Sequence, residues 1–279
     1  MKRLSFLIFC LLCVRSYAEI NPDPNQNSKP NKLSNAQRWA LGASGMLASS
    51  NHMKFDSLAG YEVNKFAIKS EKKLLEKWWG VTDRKSLLES LKWLEEGGHS
   101  ADFEELAVSL NAPEMIGPTL VRAEFEDKLK TNEELRGKVA VVSRYYEKLG
   151  DKSLQGWDGT RYICLCRWGF ICGYITEAEA WEKIMPAARH LQQTFNSWEE
   201  LCKNYLIGRE YWSPNDEDHY IYEDTYVRLL EMPESPCKKL PWDLPLYDIN
   251  MDPNNIEDSN KISTGVSAAN FSHYKEGGR

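Results

Sequence analysis

The sequence lacks a surplus of basic residues, and it lacks an apolar run long enough to stay in a membrane. Its 279 residues carry a formal net charge of −6, whereas a protein that binds nucleic acid usually presents a basic face. The most apolar stretch, residues 4–14, is shorter than the roughly 20 residues that a transmembrane helix needs. We therefore expect a globular protein that does not bind nucleic acid and that meets a membrane only transiently, during export.

The familiar signatures of catalysis and of metal binding are also missing. No Gly-x-Ser-x-Gly, His-Glu-x-x-His or phosphate-loop pattern occurs. Cys164 and Cys166 would point to nearly opposite sides of a helix, which is unfavourable for a shared zinc ion. The stretch that begins at Asp248 is similar to a calcium loop, but Pro253 and Ser259 stand where such a loop needs glycine and glutamate. The sequence thus predicts no metal site, names no cofactor and identifies no known reaction.

The first residues have the pattern of a secretory signal peptide. Lys2 and Arg3 form a positive start, an apolar run follows, and Ser16 and Ala18 are the small residues of a cleavage site. We expect residues 1–18 to be removed after Ala18. The mature protein would then be periplasmic or secreted.

Cleavage would leave an odd number of cysteines for an oxidising compartment. They are Cys164, Cys166, Cys172, Cys202 and Cys237. Cys164 and Cys172 cannot pair within one helix, because eight residues separate them by about 12 Å. Two interpretations stay open: the cysteines are small buried hydrophobic residues, or they are the thiols of a redox or envelope protein.

The sequence between a flexible leader, residues 19–33, and a polar tail predicted to be disordered, residues 249–279, has the pattern of helices. Apolar residues recur at helical spacing, and no stretch alternates convincingly as a strand would. The predicted helix starts carry typical capping residues, namely Ser34, Thr82, Ser100, Thr131 with Glu134, Asp158, Thr176 with Glu179, and Ser197 with Glu200. We therefore predict one compact all-α domain over residues 34–248.

Several positions predict how these helices pack. Pro186 falls inside a predicted helix and should kink it or remove one hydrogen bond. Gly208 lies inside the next helix, where a close helix crossing would explain a glycine. The helix from Gly159 to Cys172 is apolar nearly all round, which is typical of a core helix. Tryptophans come about once per helix, and they either fill the centre of the bundle or form an aromatic box: Trp157, Trp168, Trp181, Trp198 and Trp212.

Three blocks of the sequence are similar to a known bacterial family. The blocks are WWGVTDRKSLLESLKWLEEGGH, the long stretch from WDGTRYICLCRWGF to LCKNYLIGREYW, and SPCKKLPWDLPL. Here the chain resembles the domain of unknown function 1266 family, from about Trp39 to Leu246, although Cys237 stands where the family pattern has tryptophan. The resemblance implies a compact helical domain. The family carries no assigned reaction, so the resemblance transfers no catalytic residue.

Buried arginines on the most apolar helix predict a candidate site, because a buried cation needs partners. Asp158 lies three residues before Arg161 on the same helix face, and Glu179 is a further candidate partner. In one interpretation the arginines form a pocket for a carboxylate or phosphate. The candidate ligand-binding residues are then Arg161, Arg167, Tyr205 and Arg209. In the other interpretation the charges form a structural ion-pair network in which Asp158 and Glu179 cap helices.

His99 follows two glycines and can act as a general base near neutral pH, or it can have a packing or capping role. Three functional hypotheses follow. The first is an exported helical domain that binds a protein partner or a small anionic ligand. The second is a hydrolase-like enzyme that uses His99 with Asp158 or Glu179. The third is a thiol redox or envelope protein.

Overall fold

One buried helix lies at the centre of the fold, and other helices pack around it. The computed structural model describes residues 32–111, 119–216 and 219–246, and within these ranges the chain forms helices and no strand. The helices are α1 (Asn35–Ala43), α2 (Gly45–Ser50), α3 (Lys65–Trp79), α4 (Arg84–Glu95), α5 (Gly98–Asn111), α6 (Thr119–Thr131), α7 (Glu133–Leu149), α8 (Gln155–Ile171), α9 (Glu177–Thr194), α10 (Trp198–Trp212), α11 (His219–Glu231) and α12 (Pro236–Lys239). A short 3₁₀ turn, Gly150–Lys152, precedes the central helix α8. The predicted all-α fold is confirmed.

Helix α8 is buried along nearly its whole length because small residues let its neighbours approach. Its main packing partners are α9, α10 and α4. A Cβ at Gly159 would lie 2.7 Å from a methyl group of Leu191 on α9, and a Cβ at Gly169 would overlap Leu87 on α4. Larger side chains at these two positions would push the neighbouring helices away from the core.

The predicted close crossing at Gly208 is confirmed. A Cβ there would overlap the side chain of Trp157, so α10 approaches the backbone of α8 at this point. Pro186 lies inside α9, as predicted.

Local capping signals predicted several helix starts correctly. Ser34 accepts a hydrogen bond from the backbone N–H of Gln37 at 3.1 Å and begins α1. Thr176 and Glu179 form a reciprocal capping box at the start of α9. Ser197 accepts from the backbone N–H of the residue three positions later and begins α10.

Two other predicted caps are wrong by one residue. Asn132, not Thr131, caps α7, and its side chain accepts from the backbone N–H of Leu135 at 3.0 Å. Asp83, not Thr82, caps α4. In both cases the neighbouring Asx side chain competes with threonine for the same free N–H groups, and Asn or Asp is the stronger cap.

Asp158 does not cap its own helix, which corrects a third prediction. Helix α8 begins at Gln155 rather than at Gly159, so Asp158 lies within the first turn. Its carboxylate instead reaches the N-terminus of α5. That helix begins at Gly98, so Ser100 lies inside it rather than at its cap.

Four of the five tryptophans predicted to fill the bundle are buried: Trp157, Trp168, Trp181 and Trp198. The prediction is wrong for Trp212, which is exposed at the C-terminal end of α10. Here the helix passes the edge of the core, so the indole reaches solvent.

Within the described residues, no helix is long and apolar enough to cross a membrane. The same residues contain no group of three or more His, Cys, Asp or Glu side chains placed to hold a metal ion. The predicted signal peptide, most of the leader, the tail and the stretch that begins at Asp248 lie outside the described residues.

Candidate functional site

A cleft of about 500 Å³ opens between the C-terminal ends of α3 and α10, one side of α4 and the first turn of α5. Its lining consists of Trp78, Trp79, Gly80, Ser86, Glu89, Ser90, Trp93, His99, Arg161 and Trp212. Three of the indoles are well exposed, with 48% of Trp78, 39% of Trp93 and 37% of Trp212 accessible. The cleft therefore combines a large indole surface with one buried cation, Arg161.

A glycine turn between α4 and α5 brings His99 to the cleft. Gly97 and Gly98 have φ values of 120° and 51°, in the region that favours glycine. A Cβ at Gly98 would lie 2.8 Å from the carboxylate of Asp158. Glycine therefore permits the turn and also lets the carboxylate approach the N-terminus of α5.

The carboxylate of Asp158 is largely occupied by the N-terminus of α5. Its Oδ1 accepts from the backbone N–H of His99 at 3.2 Å. Its Oδ2 accepts from the backbone N–H and from the hydroxyl of Ser100, both at 2.8 Å. A helix N-terminus carries a partial positive charge, so this buried carboxylate stabilises the start of α5.

The guanidinium of Arg161 lies at the floor of the cleft, among aromatic rings. Its Nη1 donates to His99 Nδ1 at 2.7 Å and lies 3.5 Å from Asp158 Oδ1. Its central carbon lies 4.4 Å from the ring centroid of Trp79 and 4.7 Å from that of Trp157. Burial lowers the pKa of Arg161 to about 10, so the group remains a cation at neutral pH.

Most hydrogen-bonding capacity of Arg161 is unused. A guanidinium carries five N–H donors, and no described residue accepts a hydrogen bond from Nε or Nη2. The side chain is 10% exposed and lines the cleft. A ligand in the cleft can therefore accept from these donors.

The hydrogen bond to Arg161 fixes the tautomer of His99. Arginine can only donate, so Nδ1 of His99 accepts and the neutral ring carries its proton on Nε2. Nδ1 lies 3.7 Å from Asp158 Oδ1, which is too long for a hydrogen bond. The ring also packs edge-on against Trp93, with centroids 5.0 Å apart.

Tyr205 and Arg209 lie on α10, next to the cleft but not in its lining. Tyr205 is fully buried, and its ring centroid lies 4.9 Å from that of Trp157. Arg209 forms an ion pair with Asp216, and its central carbon lies 4.8 Å from the centroid of Trp212. Trp157 and Trp212 thus separate these two residues from Arg161 and the cleft.

Arg167 does not join this site, so its prediction as a ligand-binding neighbour of Arg161 is not supported by the geometry. It is fully buried and donates to the carbonyls of Leu58 and Lys54 and to the hydroxyl of Ser44. The two arginines are six residues apart, which turns them about 120° away from each other around α8. Arg167 therefore holds the loop before α3 against the core.

Glu179 is not a partner of Arg161, which corrects the sequence prediction. It completes the cap of α9 and binds Arg84, with Nη2 to Oε1 at 2.6 Å. The hydrogen bond from Arg84 is the main reason that the pKa of Glu179 falls to about 2. The C-terminus of α8 lies about 15 Å along that helix from Arg161, and Glu179 comes after it, in the first turn of α9. No contact joins it to His99 among the described residues.

The described cysteines are free thiols in apolar surroundings. Burial raises the pKa of Cys164, Cys172 and Cys237 to about 12. It also raises the pKa values of Cys166 and Cys202. These groups therefore stay protonated at neutral pH, and a thiol is a much weaker nucleophile than a thiolate.

The part of the chain that forms the cleft matches a known sequence family. The family described as "Protein of unknown function (DUF1266)" matches residues 74–242. This chain belongs to the DUF1266 family. The DUF1266 match contains every residue that lines the cleft.

Two similar proteins come from Escherichia coli strain K12. The chain is 27% identical over 143 residues to the uncharacterized protein YbeR, which covers 50% of this chain and 57% of YbeR. It is 23% identical over 168 residues to the uncharacterized protein YbeU, which covers 55% of this chain and 67% of YbeU. The chain thus spans little more than half the length of YbeR. No solved structure matches the chain significantly.

The sequence did not single out three tryptophans that line the cleft of this chain, Trp78, Trp79 and Trp93. A signal was present in the paired indoles that directly precede Gly80, a residue with φ of 64° at the end of α3. An aromatic pair at a helix end is not explained by the periodicity of the helix. The packing of α3 against α8 brings Trp79 onto Arg161, whose central carbon lies 4.4 Å from the ring centroid.

Proposed function

We propose that the cleft binds a small ligand that carries a carboxylate or phosphate together with a flat apolar group. The observation that carries this proposal is Arg161, a buried cation whose free donors face an open, indole-lined cleft. The planar fork of a guanidinium matches two oxygens of a carboxylate or phosphate. Hydrogen bonds to a charged group are roughly twice as strong as neutral ones.

The buried charge of the cleft favours an anion over a cation, since the lining carboxylate of Glu89 is exposed and lies 3.8 Å from the ammonium of Lys85. Asp158 is the nearest carboxylate to its guanidinium, at 3.5 Å. That carboxylate already accepts three hydrogen bonds from α5, so it offsets the charge of Arg161 only in part. A cationic ligand would also compete with Arg161 for the same indole faces.

The exposed indoles favour a flat apolar group on the same ligand. Trp78, Trp93 and Trp212 present their rings to a single concave surface. Small-molecule sites typically have volumes of about 300–1,000 Å³ and are lined by apolar and aromatic side chains with a few polar groups. A protein partner that inserts a carboxylate-bearing side chain would offer the cleft the same chemistry.

The hydrolase hypothesis has less support. In a Ser-His-Asp arrangement the carboxylate accepts from His Nδ1, whereas Nδ1 of His99 accepts from Arg161. The cleft hydroxyls also have structural roles: Ser86 belongs to the cap of α4, and Ser90 donates to the carbonyl of Ser86 at 3.0 Å. The thiol redox hypothesis is opposed by the raised pKa values of the buried cysteines.

Export is a separate proposal that depends on the pattern of residues 1–18. Expression in a Gram-negative host followed by intact-mass analysis of the periplasmic fraction tests it. A mature chain that begins at Glu19 is the expected result. A full-length chain found in the cytoplasm would contradict export and would leave the cleft proposal unaffected.

The cleft proposal can be tested with benzoate, phenyl phosphate and neutral benzyl alcohol as probes. Wild-type protein should bind the anionic probes and quench tryptophan fluorescence, with much weaker binding of benzyl alcohol. Arg161→Met should weaken binding of the anions at least about tenfold, equivalent to about 1.4 kcal/mol. Arg161→Lys keeps the charge but loses the planar fork. Its affinity for the anionic probes should therefore lie between that of the wild type and that of Arg161→Met.

Arg84→Met is the matched control, because Arg84 is an exposed arginine that does not line this cleft. Its probe affinities should equal those of the wild type. Far-ultraviolet circular dichroism checks that each variant is folded, and the milder Arg161→Lys keeps the test open if the methionine variant unfolds. Equal binding of benzyl alcohol, or unchanged anion binding in folded Arg161 variants, would refute the proposal.

A further inference from the structure

Three buried polar atoms behind the cleft have no hydrogen-bond partner within the described part of the chain. They are Trp157 Nε1, Tyr205 Oη and Arg209 Nη1. Their residues are at most 8% exposed. Buried polar groups in native proteins are nearly always paired, and an unpaired one calls for a bound water, ion or ligand.

The three residues lie in one neighbourhood between α8 and α10. Tyr205 and Arg209 are four residues apart on α10 and so share a helix face. The ring of Tyr205 packs against that of Trp157, with centroids 4.9 Å apart. Arg209 lies over Trp212, whose ring centroid is 6.2 Å from that of Trp157. These contacts place the three side chains beside one another in the interior.

The chemistry of these groups indicates what they lack. An indole N–H and a guanidinium N–H can only donate, and a phenol can donate, so the missing partner is an acceptor. Asp216 engages Nη2 of Arg209 and leaves Nη1 unpaired. Burial raises the pKa of Tyr205, while the positive charges of Arg209 and Arg161 act on its phenol in the opposite direction. Asp216 offsets part of the charge of Arg209, so hydrogen bonds from the unpaired donors, more than net charge, would hold an acceptor here.

We propose that Trp157, Tyr205 and Arg209 form an interior site for one small oxyanion. Its carboxylate or phosphate oxygens accept from the free N–H and O–H groups. The site is distinct from the cleft, because Tyr205 and Arg209 do not line the cleft. Trp212, whose ring centroid lies 4.8 Å from the central carbon of Arg209, is 37% exposed and so links this region to the surface.

The test compares thermal unfolding in millimolar formate, phosphate and chloride at matched ionic strength. Formate or phosphate should raise the melting temperature of the wild type above its value in chloride by a few degrees, roughly 2–4 °C. The two oxyanion arms separate a carboxylate ligand from a phosphate ligand. Tyr205→Phe removes one hydroxyl without changing the ring. Formate or phosphate should no longer raise the melting temperature of this variant above its value in chloride.

Tyr162→Phe is the matched control, because Tyr162 is a buried tyrosine on α8 whose hydroxyl donates to Glu95 at 2.6 Å. This variant should melt lower than the wild type in chloride and keep the full oxyanion-dependent rise. Tyr205→Phe should not melt lower in chloride, since its hydroxyl has no partner to lose.

Three results would overturn the proposal. One is the same melting temperature of the wild type in all three salts, which would leave water as the occupant. Another is a full rise in Tyr205→Phe, which would place the anion elsewhere. The third is a drop in the melting temperature of Tyr205→Phe in chloride as large as that of Tyr162→Phe. It would show that the hydroxyl of Tyr205 is already paired. Benzoate titration of Tyr205→Phe measures binding to the cleft alone, because this variant lacks the interior site. The cleft proposal and the interior-site proposal can therefore fail independently.

Discussion

Replacing Asp158 by asparagine tests how strongly one carboxylate joins α5, α8 and the cleft. The wild-type side chain accepts three hydrogen bonds from His99 and Ser100 and is the nearest carboxylate to the buried Arg161. An asparagine side chain keeps one acceptor oxygen. Its amide group would meet the N–H or hydroxyl donors of α5 in place of the second oxygen. The change also removes the negative charge that offsets Arg161.

The expected loss follows from these contacts. A hydrogen bond to a charged group contributes about 1.5–3 kcal/mol, and removing one partner of a buried ion pair costs about 3–5 kcal/mol. These contributions overlap, because the same oxygens serve both interactions. We therefore expect Asp158→Asn to lower the free energy of unfolding by about 3–5 kcal/mol. That is a large part of the roughly 5–15 kcal/mol that stabilises a typical domain.

Urea unfolding monitored by circular dichroism measures this loss. Asp83→Asn is the matched control, since Asp83 is an exposed N-cap with no buried cation beside it. Asparagine caps helices about as well as aspartate, so the control should lose less than about 1 kcal/mol. The reasoning would be refuted if Asp158→Asn cost no more than Asp83→Asn.

Three further predictions concern pH, packing and thiol reactivity. The pKa of Glu179 is lowered from 4.5 to about 2 in the folded protein, so its contribution to stability is present above pH 4.5 and is lost as the pH falls toward about 2. Glu179→Gln should therefore lose less stability than the wild type over that range in thermal unfolding, and equal losses would contradict the assignment. Gly208→Ala should cost about 1–3 kcal/mol in urea unfolding, because the new Cβ would overlap Trp157. Gly45→Ala is its control and should cost less, because its Cβ meets only a flexible side chain at 3.1 Å. Cys164 should resist maleimide labelling in native protein and react after unfolding, as read by peptide mass mapping, and rapid native labelling would contradict its raised pKa.

The sequence predicts the helical fold well because helix starts and buried faces are local properties. Ser34 and Thr176 were identified as caps from their own neighbours, and the structure confirms both. The prediction for Asp158 failed because its carboxylate caps another helix, 58 residues away from Ser100 along the chain. A local pattern cannot show that a second helix offers its N-terminus to the same side chain.

The candidate site is predictable only where it lies within one helix. The pairing of Arg161 with Asp158 follows from their spacing of three residues and is present in the structure. The contact between Arg161 and His99 depends on how the turn between α4 and α5 meets α8, and the stacking on Trp79 depends on where α3 ends. Such contacts arise from tertiary packing, which the periodicity of a single helix does not encode.

The most direct test of the central claim is a crystal structure of the protein soaked with phenyl phosphate. We predict phosphate oxygens about 2.7–3.1 Å from Nε and Nη2 of Arg161, with the phenyl ring against the indole of Trp78, Trp93 or Trp212. A ligand bound away from Arg161, or a cleft that stays empty while phenyl phosphate binds elsewhere, would contradict the account.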